Sequence, residues 1–318
     1  MSFDIQIQEQ PFGKSIQLID SNTNTIVTIH SKGALMNSWK INKSDPSSEL
    51  IYGNPLQNTQ SKDESFEMNG FRSGKMSPFS CRIRQGQYNW DATTFRFNKF
   101  YLGKHAMHGL IYDADFEILS TEADTNHAMV CLEFKYEGTD PGFPFPYSIQ
   151  VQWSLFKQHR IHVKTTIQNR STQTIPMMDG WHPYFTLGGS VNAYELQFKS
   201  MGKIEMDQEM IPTGQLFEMK DFEKGKKIGV THFDDCFLLD PTDPIVTIRY
   251  QEKSIQVHAQ HNYPYLQLYT PADRNSIAIE NLSGAPDCFN NKMGLHVLEP
   301  HHTIYFETTY QFKTASPL

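Results

Sequence analysis

The chain has 318 residues, with 28 lysines and arginines against 35 aspartates and glutamates and a formal net charge of -7. Its pI near 6.0 and its scattered basic residues argue against binding to nucleic acid or to an anionic membrane, which requires clustered positive charge. The sequence lacks a signal-peptide pattern and a run of about 18 apolar residues, so we expect a cytoplasmic protein. The length suits one large β domain, predicted over residues 1–318.

Short runs rich in β-branched and aromatic residues recur along the chain, with turn residues between them. Several alternate polar and apolar residues with period two, which is typical of strands that bury one face. Helical periodicity is sparse, so any helices should be short. The pattern predicts an all-β fold, a large antiparallel β-sandwich with a few short helices. The clearest strands are expected at residues 26–30, 116–120, 129–134, 147–155, 161–167, 245–250, 254–258 and 304–310.

A stretch rich in proline and glycine spans residues 139–147 and has the composition of a linker. It also contains Phe143, Phe145 and Tyr147, and linkers are poor in large apolar groups. We therefore expect a packed loop leading into a strand.

The four cysteines, Cys81, Cys131, Cys236 and Cys288, are widely spaced and form no C-x-x-C pair. This spacing fits neither a zinc cluster nor a compact disulfide framework, so buried, reduced thiols are expected. The sequence also has none of the motifs of serine hydrolases, dinucleotide-binding proteins, P-loop proteins or zinc proteases. Neither a metal nor a cofactor is predicted.

Two segments contain candidate acid–base residues. His182 lies within Asp179-Gly180-Trp181-His182-Pro183-Tyr184, where Pro183 restricts the backbone of His182 and aromatic side chains flank it. Glu280 ends the small, apolar run 277–279, and partial burial there would raise its pKa and make it a better base. The alternatives are a core histidine bonded to a backbone carbonyl and an exposed glutamate at a strand end.

Two further segments contain candidate binding residues. His105 and His108 have a spacing that does not bring both onto one face of an extended segment, so metal binding is not favoured. His108, next to Gly109, fits a hydrogen-bonding residue in a pocket. Asp234 and Asp235 enter an apolar strand, and one of them is expected to accept hydrogen bonds from hydroxyl groups, although a plain strand-entry turn fits as well.

Taken in order, these segments resemble the aldose 1-epimerase (galactose mutarotase) family. Residues 79–88 resemble that family's early Asn-Arg-Ile turn, and 106–109 resemble its Leu-His-Gly. Residues 181–185 match its His-x-Tyr-Phe, and 279–300 resemble its glutamate-containing C-terminal signature. The resemblance covers about residues 20–312 and implies a galactose mutarotase-like supersandwich with an open sugar groove and no cofactor.

The resemblance also implies roles for individual residues. His182 would be the general acid that protonates the ring oxygen, and Glu280 the general base that accepts the anomeric hydroxyl proton. Arg82, His108 and Asp234 would hold sugar hydroxyls, with Asp235 the less favoured of the two acids. The expected partner is a monosaccharide, and the expected assembly is a monomer or a homodimer.

The chain departs from the family pattern at Leu110, Trp181 and Pro183, which leaves its sugar preference open. A hexose-6-phosphate epimerase is one alternative, with Arg72, Lys75 and Arg84 as a candidate anion site, although Tyr112 stands where such enzymes usually carry arginine. A sugar-binding protein without turnover is the other.

Overall fold

Antiparallel β-strands make up most of the structure, a computed structural model that describes residues 2–54 and 70–314. Within these ranges the helical elements are the four-residue helix α1 (Cys288–Asn291) and short 3-10 turns at Pro46–Ser48, Arg84–Gly86 and Val191–Ala193. The prediction of an all-β fold with a few short helices is confirmed.

The strands of the N-terminal half are β1 (Phe3–Gln10), β2 (Gly13–Asp20), β3 (Thr25–His30), β4 (Met36–Lys40), β5 (Lys75–Met76), β6 (Arg82–Ile83), β7 (Gln87–Trp90), β8 (Thr93–Arg96), β9 (Tyr101–Leu102), β10 (His105–Met107), β11 (Glu117–Ala123), β12 (His127–Tyr136), β13 (Tyr147–Phe156) and β14 (Arg160–Asn169). Those of the C-terminal half are β15 (Ile175–Met177), β16 (Gly180–Trp181), β17 (Tyr184–Phe185), β18 (Glu195–Gln197), β19 (Ser200–Met206), β20 (Pro212–Phe217), β21 (Lys226–Lys227), β22 (Asp234–Leu239), β23 (Ile245–Tyr250), β24 (Lys253–His261), β25 (Tyr265–Tyr269), β26 (Ile277–Leu282), β27 (His296–Leu298) and β28 (Thr303–Thr314). The eight runs singled out from the sequence lie in strands, except that Phe116 precedes β11 by one residue.

Two large sheets organise the fold. The nine-stranded sheet has the order β11-β12-β13-β14-β28-β24-β23-β18-β21. The eight-stranded sheet has the order β20-β19-β22-β25-β26-β16-β5, with β17 also paired to β26. The fold also contains a four-stranded meander of β1 to β4 and the small sheet β6-β10-β9.

The predicted alternation is visible in β13, where Ile149, Val151 and Trp153 are buried while Gln150 and Gln152 are half-buried. A strand with this pattern turns one face toward the core and the other toward solvent.

The core lies between the two large sheets. Trp153 of β13 packs edge-on against Trp181 of β16, with ring centroids 5.0 Å apart. The hydroxyl of Thr308 in β28 donates a hydrogen bond of 2.8 Å to the Asn281 side-chain oxygen in β26. These contacts join the sheets face to face, which confirms the sandwich.

Other local predictions are also confirmed. The four cysteines are unpaired and buried. Phe143, Phe145 and Tyr147 are all buried, so residues 139–147 form a packed loop. Within the described ranges, no helix is both long and apolar enough to cross a membrane.

Candidate active site

A cavity of about 340 Å³ opens between the eight-stranded sheet and the small β6-β10-β9 sheet. All five residues singled out from the sequence line it: His182, Glu280, Arg82, His108 and Asp234. They are separated by up to 198 residues in the chain (280 minus 82), so only the tertiary fold brings them together.

Glu280 lies in the interior of β26, a strand whose six residues are all buried. Its side chain is 1% exposed, so the alternative of an exposed strand-end glutamate is wrong. In the sheet register Glu280 stands opposite Gln267 of β25, which therefore lies on the same face. Pairing of β26 with β25 holds the Glu280 carboxyl at the cavity.

His182 lies in the short gap between β16 and β17. Its backbone N–H donates to the carbonyl of Gly74 at 3.1 Å, and its carbonyl accepts from the N–H of Ser73 at 2.9 Å. The imidazole stacks on the ring of Tyr184, with centroids 4.9 Å apart and planes inclined by 9°. Backbone pairing and stacking together fix where the imidazole points.

The two candidate acid–base residues are in direct contact, because His182 Nε2 lies 3.3 Å from Glu280 Oε1. We call them the His182–Glu280 pair. Among the described residues, Glu280 Oε2 has no hydrogen-bond partner. One carboxyl oxygen therefore faces the imidazole while the other is available to a ligand.

Burial disfavours the charged form of each member of the pair and shifts both pKa values accordingly. It raises the pKa of Glu280 well above its ordinary value, and the negative charge of Asp234 adds to that effect. Burial lowers the pKa of His182 to about 3. A fully enclosed imidazole loses the solvation of its charged form, which makes His182 harder to protonate. A single proton shared by the pair is therefore held by Glu280 rather than by His182.

His108 lines the cavity with a ring nitrogen that can donate a hydrogen bond. Its Nδ1 accepts a hydrogen bond of 3.2 Å from the N–H of Cys81, so the ring proton of the neutral imidazole is on Nε2. Burial lowers the pKa of His108 well below its ordinary value, with smaller contributions from His182 and Arg82. A neutral donor suits a sugar hydroxyl.

The residue after His108 must be a glycine for steric reasons. Gly109 has a φ of +82°, and a Cβ atom there would lie 2.2 Å from the backbone oxygen of Ser77. A side chain at this position would push the His108 segment off the neighbouring strand.

Asp234 and Asp235 point in different directions, as neighbours in a strand do. Asp234 lines the cavity and accepts a hydrogen bond of 2.9 Å from Gln267 Nε2. Asp235 instead forms an ion pair of 2.8 Å with Lys203. Burial raises the pKa of Asp234, while the positive charge of Arg82 opposes that rise.

The sequence argument missed several lining residues. Gln267 is the most informative, because it is 6% exposed and bonds to Asp234. Its signal was a single amide within the otherwise apolar and aromatic run of β25. The others supply apolar and aromatic surface. Met107 and Tyr184 lie in the family-like segments 106–109 and 181–185 but were given no role, and the remaining residues lie in segments without a motif: Phe71, Leu102 and Tyr269.

Leu110 and Trp181 are two of the positions at which the chain departs from the family pattern. Neither residue lines the cavity. Trp181 is 2% exposed and packs on Trp153 in the core, because residues next to each other in a strand face opposite sides and His182 takes the cavity side.

The three cations considered as an anion site do not converge. Lys75 is fully buried and forms an ion pair with Asp179 in the core. Arg84 pairs with Asp207 at 2.5 Å. The guanidinium of Arg72 lies over the ring of Tyr52, 4.3 Å from its centroid. Of the residues that line the cavity, Arg82 is the single arginine or lysine in the described part of the chain.

His105 and His108 do not form a shared metal site. His105 Nδ1 accepts from the N–H of Gln85 at 3.2 Å, and its Nε2 faces Glu209 at 3.7 Å. In the described ranges, a cluster with metal-ligand spacing occurs at Glu122, Asp124 and His127, beside the turn between β11 and β12 and outside the cavity.

Comparisons with known proteins agree with this architecture. In Escherichia coli K12, the protein YihR, whose name describes it as uncharacterized, is 27% identical over 238 residues, which cover 72% of this chain and 76% of YihR. The aldose 1-epimerase of Streptococcus thermophilus is 24% identical over 215 residues, which cover 57% of this chain and 61% of that protein.

Among solved structures, galactose 1-epimerase from Lactobacillus acidophilus NCFM aligns with a TM-score of 0.82 at 16% identity, covering 99% of this chain and 100% of that one. A galactose mutarotase-like protein from Clostridium acetobutylicum gives 0.82 at 16% identity, covering 98% and 99%. Both share the galactose mutarotase-like fold predicted from the sequence. The aldose 1-epimerase family model matches residues 15–311, and the chain therefore belongs to the aldose 1-epimerase family.

Proposed function

We propose that the protein is an aldose 1-epimerase that interconverts the α and β anomers of a free monosaccharide. The observation that carries the proposal is the 3.3 Å contact between His182 Nε2 and Glu280 Oε1 at the edge of a sugar-sized cavity. Ligand cavities in proteins range over about 300–1,000 Å³, and 340 Å³ lies at the small end of that range.

Mutarotation opens a hemiacetal ring, rotates the C1–C2 bond and closes the ring on the other face. Opening requires removal of the anomeric hydroxyl proton and delivery of a proton to the ring oxygen, two atoms bonded to the same carbon. Glu280 acts as the base and His182 as the acid, and their contact places both at one end of a bound sugar. Each proton transfer contributes a factor of about 10²–10⁴.

Three further residues hold the sugar hydroxyls. His108 donates through Nε2, Asp234 accepts, and Arg82 donates through its guanidinium. The ring of Tyr184 and the side chains of Met107 and Phe71 offer apolar surface to the C–H face of a sugar.

A free sugar is favoured over a sugar phosphate by the charge around the cavity. The charge of Arg82 acts on Asp234, Lys75 and Arg84 pair with carboxylates, and Arg72 lies over the ring of Tyr52. A phosphate group would need a second unpaired cation or several backbone donors.

The test is an anomerisation panel of free hexoses, free pentoses and glucose 6-phosphate, followed by polarimetry and by NMR saturation transfer. Catalysis of at least one free sugar, lost in His182→Ala, is the expected result. Faster turnover of the phosphate would establish a hexose-6-phosphate epimerase, and binding without catalysis across the panel would establish a sugar-binding protein.

A further inference from the structure

A buried ionic network adjoins the segment that holds His182. It consists of Lys75, Asp179 and Tyr263, and we call it the Lys75–Asp179–Tyr263 network. Lys75 and Asp179 are each 0% exposed, and Tyr263 is 3% exposed. None of the three lines the cavity, so the network cannot contact a bound sugar directly.

Asp179 is the centre of the network. Its Oδ2 accepts hydrogen bonds from the ammonium of Lys75 and, at 2.6 Å, from the hydroxyl of Tyr263. Lys75 also lies over the ring of Trp181, with its Nζ 4.4 Å from the centroid. The network thus links β5, the start of β16 and the segment that leads into β25, which carries Gln267.

Backbone bonds connect Asp179 to the strand of Glu280. The N–H of Asp179 donates to Ser283 Oγ at 2.9 Å, and the N–H of Ser283 donates to the carbonyl of Asp179 at 2.9 Å. His182 lies three residues after Asp179, and Glu280 lies three residues before Ser283. This reciprocal pair of bonds therefore sits at equal chain distance from both members of the His182–Glu280 pair.

The segments that carry His182 and Glu280 are also hydrogen-bonded on the side away from Asp179 and Ser283. The N–H of Ile279 donates to the carbonyl of Pro183 at 3.2 Å. His182 itself bonds to Gly74, the residue before Lys75. A shift of Asp179 relative to Lys75 would therefore displace His182 with respect to Glu280.

We propose that Lys75, Asp179 and Tyr263 are positioning residues, which set the distance and orientation of His182 against Glu280 without touching substrate. This rests on the proposed function, in which the pair transfers protons. A purely stabilising role is the competing explanation, and it is weak on physical grounds. Desolvation of two charges largely cancels their attraction, so buried ion pairs often add little to stability compared with apolar replacements.

The first test variant is Tyr263→Phe, which keeps the ring and removes one hydrogen bond to Asp179. The second is the double variant Lys75→Met/Asp179→Asn, which removes both charges and leaves no unpaired buried ion. We expect kcat to fall about 10- to 100-fold in the double variant with KM changed less than twofold, because small misplacement of catalytic groups costs about that much. In Tyr263→Phe, kcat should fall by a smaller factor than in the double variant.

A second readout does not depend on turnover. In protein labelled with ¹⁵N at histidine, the ring nitrogen shifts of His182 report its hydrogen bonding to Glu280. We expect both variants to change these shifts. Ile161→Val, a core change in β14 away from the network, is the control that lowers stability and should leave kcat and the His182 shifts unchanged.

Wild-type kcat and wild-type His182 shifts in a folded double variant would overturn the proposal. If the double variant does not fold, Tyr263→Phe decides by the same two measurements. Absence of catalysis by the wild-type protein would refute the proposed function alone, because the His182 shifts still show whether the network positions the imidazole.

Discussion

Replacement of Glu280 by glutamine tests the role of the pair with almost no change in shape. The carboxyl is 1% exposed, and its Oε1 faces His182 at 3.3 Å. An amide keeps a hydrogen-bonding group toward the imidazole but cannot accept the anomeric proton. Loss of one proton transfer predicts a fall in kcat of about 10²–10⁴. This corresponds to about 2.7–5.4 kcal/mol of lost transition-state stabilisation.

The same variant should be more stable than the wild-type protein, and increasingly so as pH rises. The folded-state pKa of Glu280 lies above its unfolded value. A group with a raised pKa contributes stability that is fully present below the unfolded pKa and is lost as pH rises through the folded pKa. Because glutamine does not ionise, the variant does not lose stability in this way as pH rises. The difference in unfolding free energy should grow by up to about 1.4 kcal/mol per pH unit above the unfolded pKa of about 4.3.

Two assays check these expectations. Saturation transfer between the anomer signals gives kcat, and urea unfolding at several pH values between 5 and 9 gives the stability difference. Glu252→Gln, at an exposed glutamate in the turn between β23 and β24, is the matched control and should change neither quantity. A Glu280→Gln enzyme with wild-type kcat would refute the base role. Unfolding free energies that run parallel across the pH range would refute the burial argument.

Three other predictions follow from the same structure. The pH profile of kcat/KM should be a broad plateau, bounded below near the His182 pKa of about 3 and above by the raised pKa of Glu280, since the pair works with one proton; a narrow bell centred near pH 6 would contradict this. Asp234→Asn should raise KM about 10-fold or more, with a smaller effect on kcat, because a charged hydrogen-bond acceptor is lost; initial rates over a range of sugar concentrations measure it, and an unchanged KM would remove Asp234 from the binding set. Trp153→Ala should lower the unfolding free energy by about 3–5 kcal/mol, because it opens a cavity between the two large sheets; urea unfolding measures it, and a loss under 1 kcal/mol would contradict the packing argument.

The strands were predictable because their signal is local. In β13 the polar and apolar residues alternate along the nine positions from Tyr147 to Leu155, and in the structure the burial follows that alternation through most of the strand. Period two in the sequence maps directly onto the two faces of a sheet. Composition alone predicted the packed loop at 139–147, where Phe143 and Phe145 are buried.

The site was only partly predictable because its signal is mostly tertiary. The sequence around Glu280 fitted a buried base and an exposed strand end equally well. The register with Gln267 and the burial of all six residues of β26 decide between them, and both depend on strands distant in the chain. Gln267 and Phe71 had no motif, since their place at the cavity comes from how the sheets are arranged.

Trp181 shows another limit of the sequence, because a residue next to His182 in the chain does not share its place at the cavity. Adjacent residues in an extended segment point to opposite faces. The side chain of Trp181 therefore packs between the sheets, under Lys75, while that of His182 faces the cavity. In an extended segment, the side chains of two adjacent residues therefore lie in different surroundings.

The protonation state of the pair connects the geometry to the proposed reaction. Ring opening requires a charged Glu280 and a protonated His182, and it leaves Glu280 protonated and His182 neutral. Ring closure then reverses both transfers. The shifted pKa values of the two residues favour the second state, the one that follows opening, in the cavity without sugar. Both states contain one proton, and the 3.3 Å contact lets it move directly between Oε1 and Nε2. A pair that keeps one proton throughout can therefore run the reaction in either direction without exchanging protons with solvent.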